Sequence, residues 1–222
     1  MDKTIASPAE AVAGIPDGAI VMIGGFGGSG APVELIHAMI DRFRATGSPA
    51  RLTVINNNAG NGGIGIAAMI KAGMVAKMIC SFPRSSNAEA FNEKYLAGEI
   101  ELELVPQGTL AERIRAAGAG IPAFYTPTSV GTMLAEGKEH RTIDGREYVL
   151  ERGLTADFAF IKGLVADRHG SVVYNKTARN FAPIMATAGR RTVVQAATVV
   201  DPGELDPETI ITPGIFVQGV VH

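Results

Sequence analysis

Tryptophan is absent from this 222-residue chain, and cysteine occurs once, at Cys80. A lone thiol excludes an intrachain disulfide and a cysteine-based metal cluster. Cys80 follows Met78 and Ile79 in an apolar run, which reads as a buried core thiol rather than a nucleophile. Apolar runs stay well short of the roughly 18 residues a membrane span needs, and no apolar signal region follows Met1-Asp2-Lys3-Thr4. The expectation is a cytoplasmic protein with no membrane partner. An excess of either charge is lacking as well. The formal net charge is −2 and the pI about 6.1, Lys and Arg are scattered, and no aromatic-plus-basic stripe occurs, so nucleic acid is not an expected partner. His37, His140, His169 and His222 stand at no spacing from a Ser, Cys or carboxylate that suggests a triad or a metal site.

What the chain does have is apolar and glycine-rich. Hydrophobic residues make up 46% and the mean hydropathy is +0.19, ample for a buried core. The 27 glycines bunch at strand ends, where close backbone approaches and tight turns need them. With no linker or tandem repeat, one domain over residues 1–222 is expected.

The periodicities alternate. Ala19–Ile23 reads as a strand buried on both faces. It runs into Gly24-Gly25-Phe26-Gly27-Gly28-Ser29-Gly30 and a helix with Pro32 in its first turn, an apolar face of Leu35, Ile36, Met39, Ile40 and Phe43, and Gly47 at its end. The unit repeats with a strand at Leu52–Ile55, an Asn/Gly turn, and a helix through Ala67, Met69 and Ile70. Lys77–Phe82 and Ile100–Val105 read as further strands, Ala88–Leu96 and Thr109–Ala117 as helices. Asp144-Gly145 between two strands predicts a type I′ hairpin, and Asp167–Gly170 a second one. Strands at Thr192–Ala196 and Ile215–Val221 close the chain. The predicted class is α/β: an open, mainly parallel mixed sheet with helices on both faces and an antiparallel hairpin flap.

Candidate chemistry gathers at strand ends. Gly25-x-Gly27-x-x-Gly30 between a strand and a helix suits a phosphate or other anion, or is a structural tight turn. A dinucleotide site would add a carboxylate at the end of the second strand, and Val54-Ile55-Asn56-Asn57 supplies none. Asn56-Asn57-Asn58 and Pro106-Gln107-Gly108 stand where open α/β sheets place ligands. Their amides either donate to a carbonyl oxygen gaining charge or satisfy loop backbone. Ser29 lacks the Gly-x-Ser-x-Gly elbow, and Glu89, Glu93 and Glu112 fall on charged helix faces. The chain offers donors and no evident nucleophile.

At these residues the sequence resembles the A-type chains of family I CoA-transferases. The resemblance is carried by Asp17 to Pro32 (DGAIVMIGGFGGSGAP), Asn57-Asn58-Ala59-Gly60, Pro106 to Ala116 (PQGTLAERIRA) and Ala178-Arg179-Asn180-Phe181, in the same order, and extends from near residue 8 to the end. It implies the fold of that family and a ping-pong reaction in which a glutamate attacks a donor thioester and becomes a glutamyl-CoA thioester. In the family that glutamate lies in a Glu-Asn-Gly element of the B-type chain, and this chain contains no Glu-Asn-Gly. By residue match, Asn57 and Gln107 position and polarise the reacting carbonyl, and Gly24, Gly25, Phe26, Gly27, Gly28, Ser29 and Gly30 correspond to the CoA-binding segment. The resemblance implies a coenzyme A thioester as substrate, no permanently bound cofactor, no metal, and a B-type CoA-transferase partner in a heterodimer or an A2B2 heterotetramer. It further implies succinyl-CoA as donor and a 3-oxo acid as acceptor. Gly60-Asn61-Gly62 and Cys80 to Arg84 look like the 3-oxoadipate branch, with Arg84 a candidate contact for a distal carboxylate. Tyr125 to Thr128 and Leu150 to Gly153 resemble the succinyl-CoA:acetoacetate enzymes. Of the two acids, 3-oxoadipate is the expected one. A sugar-phosphate or effector-binding module of related fold would need a self-sufficient acid/base pair or a DNA-binding helix-turn-helix, and neither is evident.

Overall fold

A computed structural model describes residues 1–84 and 88–222. In chain order the elements are α1 (Pro8–Val12), β1 (Ile20–Ile23), α2 (Val33–Thr46), β2 (Leu52–Ile55), α3 (Ile66–Lys71), β3 (Val75–Cys80), α4 (Glu89–Leu96), β4 (Glu101–Leu104) and α5 (Gln107–Gly118). Then follow β5 (Ala123–Thr126), β6 (His140–Ile143), β7 (Arg146–Arg152), β8 (Ala156–Asp167), β9 (Val172–Val173), α6 (Ala182–Ala188), β10 (Gly189–Val200) and β11 (Gly219–Val221).

The large sheet has the order β11-β10-β8-β1-β2-β3-β4, every pair parallel, and β9 adds to β8 antiparallel. Alternation along the short strands sends side chains to two cores. Val21, Ile23, Val54, Met78 and Cys80 join Leu35, Ile36 and Met39 of α2 and Met69 of α3 on one face. Met22, Ile55 and Ile79 join Leu110 and Ile114 of α5 and Met185 of α6 on the other. A fully parallel ladder covered on both faces explains why these strands read as unbroken apolar runs. Gly47 closes α2 in the left-handed conformation, φ 76°, its N–H donating to the Phe43 carbonyl at 2.7 Å. The parallel order collects the C-terminal ends of β1, β2, β3 and β4 along one edge of the sheet.

A second, three-stranded antiparallel sheet, β5-β7-β6, contains the expected hairpin. Asp144 and Gly145 both take positive φ, 50° and 75°, as a type I′ turn requires.

Several boundaries differ from the sequence expectation. Strand β3 is Val75–Cys80 rather than 77–82, because Ser81 and Phe82 leave the ladder to bond the Asn57 carbonyl. Pro32 caps α2 from outside instead of entering its first turn. Helix α5 begins at Gln107, two residues before the helical run by propensity. Near the end, Gly214–Phe216 is a 3-10 turn, and only Gly219–Val221 pairs, with β10. Three elements had no sequence counterpart: α1, α6 and β5. Helix α6 contains Pro183 and only 7 residues, too little pattern for a periodicity to register.

Candidate functional site

The glycine segment leaves β1 with the Gly24 N–H donating to the Phe160 carbonyl at 2.8 Å, one last rung beside β8. Phe26 and Ser29 then exchange two backbone hydrogen bonds, each 3.0 Å, across Gly27 (φ 58°) and Gly28 (φ 89°). That is a miniature type I′ hairpin, open to this sequence because two adjacent glycines accept positive φ without steric cost. The glycines therefore form a hairpin ahead of α2, and the first free N–H groups of that helix find a partner inside the protein. There, the Gln195 side-chain oxygen accepts from Glu34 N–H at 3.1 Å and Leu35 N–H at 3.4 Å. Gln195, 5% exposed and rising from β10, satisfies those helix-end donors from within the protein. Among the described residues, the N–H groups of Gly27 and Gly28 at the hairpin tip have no hydrogen-bond partner.

The three asparagines after β2 divide their work. Asn56 donates from Nδ2 to the Ile23 carbonyl, and its Oδ1 accepts from Asn58 N–H at 2.9 Å. Asn58 Oδ1 accepts from Gly60 N–H at 2.7 Å. The oxygens of both are spent on the backbone of the turn, as Asx geometry predicts. Asn57 is different. Its carbonyl accepts from Ser81 N–H at 3.1 Å and Phe82 N–H at 3.0 Å, and the Ser81 hydroxyl lies 2.9 Å from its Oδ1. Its Nδ2 amide has no hydrogen bond among the described residues.

Gln107 is the first helical residue of α5, following Pro106. Its side chain is exposed and makes no hydrogen bond among the described residues. A groove of about 380 Å³ brings it together with Asn57, Ser81, Phe82, Phe26 and Gly27. A neighbouring pocket of about 210 Å³ shares Gly27, Asn58 and Asn61 with that groove and is walled by Val33, Ile36, Ile64 and Ile66. The expected residues Asn57 and Gln107 and the tip of the glycine segment thus meet at one place. Arg84 does not join them: it is exposed, two residues beyond Phe82, and lines neither cavity. Phe26, Ile64 and Phe82 leave an apolar rim around the opening.

The two linings hold amides, backbone, one hydroxyl and apolar carbon. Among the described residues, neither contains an Asp, Glu, His, Cys, Lys or Arg. Cys80 adjoins Ser81 in sequence but turns to the opposite core, 0% exposed, and burial pushes its thiol up to about 12. Among the described residues no group of three or more His, Cys, Asp or Glu could hold a metal ion, and no helix is long and apolar enough to cross a membrane. Two residues that shape the site carried no expected role: Gln195, signalled by an amide inside the apolar strand TVVQAA, and Asn180, which bonds the glycine hairpin.

A family model described as coenzyme A transferase matches residues 5–222. The A-type chain of the 3-oxoadipate CoA-transferase of Pseudomonas putida is 60% identical over 221 residues, covering 100% of this chain and 94% of that protein. The A-type chain of the probable succinyl-CoA:3-ketoacid coenzyme A transferase of Bacillus subtilis (strain 168) is 49% identical over 221 residues, covering 100% and 90%. Among solved structures, the acyl-CoA transferase of Escherichia coli O157:H7 in a thioester complex with CoA superposes with a TM-score of 0.86 at 23% identity. That match covers 99% of this chain and 49% of the other, so this chain spans about half the length of that enzyme. At such identity the likeness speaks for the fold alone.

Proposed function

The chain belongs to the coenzyme A transferase family, and from that premise we propose that residues 1–222 form the single A-type domain of a CoA-transferase built from two kinds of chain. The pair moves CoA from succinyl-CoA to a 3-oxo acid, and the acid is 3-oxoadipate, following the relative of higher identity. The partner is a B-type chain, joined as a heterodimer or an A2B2 heterotetramer, and the coenzyme A thioester is a substrate rather than a resident cofactor.

One observation carries this reading: among the described residues, the groove is lined by four side-chain amides, those of Asn57, Asn58, Asn61 and Gln107, and by no titratable side chain. Such a site polarises a carbonyl but cannot attack it. Asn57 Nδ2 and the Gln107 amide donate to the thioester carbonyl as its oxygen gains charge, and the partner's glutamate attacks the carbon from the open side. The same donors serve each later acyl intermediate, because every step of the exchange passes charge through a carbonyl oxygen. The glycine hairpin lends the N–H groups of its tip and a wall that excludes water. Its helix-end donors are already satisfied, so its part in CoA binding lies at the thioester end rather than at the phosphates.

Mixing tests this. The purified chain alone is expected to transfer no CoA between succinate and 3-oxoadipate, and addition of a B-type chain carrying Glu-Asn-Gly restores transfer. Full activity of the single chain, or a CoA adduct trapped on one of its own glutamates, overturns the proposal.

A further inference from the structure

We propose that Asn180 is a positioning residue: its side-chain amide braces both feet of the Phe26–Ser29 hairpin and so sets the height of the glycine tip over the thioester groove. Oδ1 accepts from Gly25 N–H at 3.2 Å, at the foot leaving β1. Nδ2 donates to the Ser29 carbonyl at 2.9 Å, at the returning foot. The same side chain is fixed from behind, Oδ1 accepting from Phe181 N–H at 2.7 Å and Nδ2 lying 3.2 Å from the Ala178 carbonyl. One planar amide thus ties the hairpin to the start of α6, whose Ala182 and Met185 are packed in the core.

Two further observations place the brace under constraint. Asn180 has φ 23° and ψ −115°, a conformation L-residues rarely adopt and surrounding structure must hold. A Cβ on Gly30 would stand 2.2 Å from the Ala178 carbonyl, so the segment presses directly on the chain where it leaves the hairpin. The hairpin closes without this help, through the Phe26–Ser29 pair. What Asn180 adds is orientation relative to the sheet. Phe26 and Gly27 line the groove that holds Asn57 and Gln107, so a tilt of the hairpin changes the reacting geometry while leaving the fold intact. Small misplacements of this kind cost rate more than binding.

This inference rests on the CoA-transfer reading for its kinetic arm and has a second arm that does not. In the assembled pair, Asn180→Gly, which keeps the positive φ and deletes the amide, is expected to lower kcat about tenfold or more while KM for the thioester changes less than about threefold. Asn180→Asp keeps the two acceptor contacts and loses the donation to Ser29, and its kcat falls between wild type and Asn180→Gly. In the isolated chain, exchange of the Gly25 amide is expected to quicken about tenfold in Asn180→Gly at an unchanged unfolding midpoint. A kcat within about twofold of wild type per assembled pair, or a loss confined to KM, overturns the positioning role. If Asn180→Gly does not assemble, Asn180→Asp is judged by the same criteria. A wild-type pair that transfers no CoA defeats the proposed function instead, and Gly25 exchange still decides whether the brace exists.

Discussion

Ser81 grips Asn57 through three contacts: its backbone N–H donates to the Asn57 carbonyl at 3.1 Å, and its hydroxyl lies 3.0 Å from that carbonyl and 2.9 Å from Asn57 Oδ1. The first contact lies just past the last rung of the β2–β3 ladder. The hydroxyl's contact with Oδ1 fixes which end of the Asn57 amide is held, leaving Nδ2 as the donor toward the groove. Ser81→Ala removes both hydroxyl contacts and keeps the backbone one. A single hydrogen bond contributes about 0.5–1.5 kcal/mol net, so kcat of the assembled pair is expected to fall about threefold to tenfold, with a stability loss of about 1 kcal/mol or less. Turnover equal to wild type means the amide holds its orientation unaided.

Gln107 makes the contrasting case. It is exposed, bonds nothing among the described residues, and stands at the first turn of α5. Gln107→Ala therefore leaves folding stability within about 0.5 kcal/mol, as for surface substitutions. If its amide stabilises the charged carbonyl, kcat drops by about 100- to 1000-fold, the usual loss for one such donor. Steady-state kinetics and a urea titration of the same preparation separate the two quantities, and a kcat near wild type removes Gln107 from the reaction.

The parts legible in the sequence were those encoded by local pattern. Four-residue apolar strands, Gly47 after an amphipathic helix and Asp144-Gly145 each act over a few residues, and each appears where expected. The candidate residues Asn57 and Gln107 were visible as amides at strand ends. That they share a groove follows only from the parallel order β1-β2-β3-β4, which no local pattern states. The form of the glycine segment was left open for the same reason. Gly25-x-Gly27-x-x-Gly30 fits a helix-end anion cradle as well as it fits a hairpin. What decides between them is Gln195, 161 residues from Glu34 in sequence, occupying the helix-end donors. Asn180 lay within a matched block, but its contacts reach back 155 residues to Gly25.

Arg113 ties helix α5 to the antiparallel sheet. Its Nη1 donates to Glu103 at 2.9 Å and its Nε to the Arg152 carbonyl at 2.9 Å. Glu151, 2% exposed, is also met by Lys138 from the flap. Burial raises the pKa of Glu103, but hydrogen bonds from Arg113 and Lys77 outweigh it and hold the carboxyl below its ordinary value. A depressed folded-state pKa contributes stability that is present above the unfolded value of about 4.3 and lost as pH falls through the lower folded value. The contribution is modest, because a third of the side chain is open to solvent. Urea midpoints between about pH 3 and pH 6 should therefore fall on acidification in wild type and fall less in Glu103→Gln. Parallel curves for the two proteins mean this carboxylate does not stabilise the fold through Arg113 and Lys77.

Arg84 decides how the acceptor is read. The two cavity linings contain no cation, so a dicarboxylic acceptor held there has nothing of this chain to meet its far carboxylate inside them. Arg84 stands two residues beyond Phe82, is exposed and lines neither cavity, so a contact requires the acid to extend outside the two linings. An arginine fork meeting a carboxylate in two places is a strong charge-assisted pair, and such hydrogen bonds contribute about 1.5–3 kcal/mol. Arg84→Ala is then expected to lower kcat/KM for 3-oxoadipate by about tenfold to a hundredfold and to leave acetoacetate within about twofold. Equal losses on both acids assign the far carboxylate to the partner chain. That outcome would also explain why the described lining of a groove rich in amides holds no cation: the cation that recognises the acid would arrive with the nucleophile that attacks the thioester.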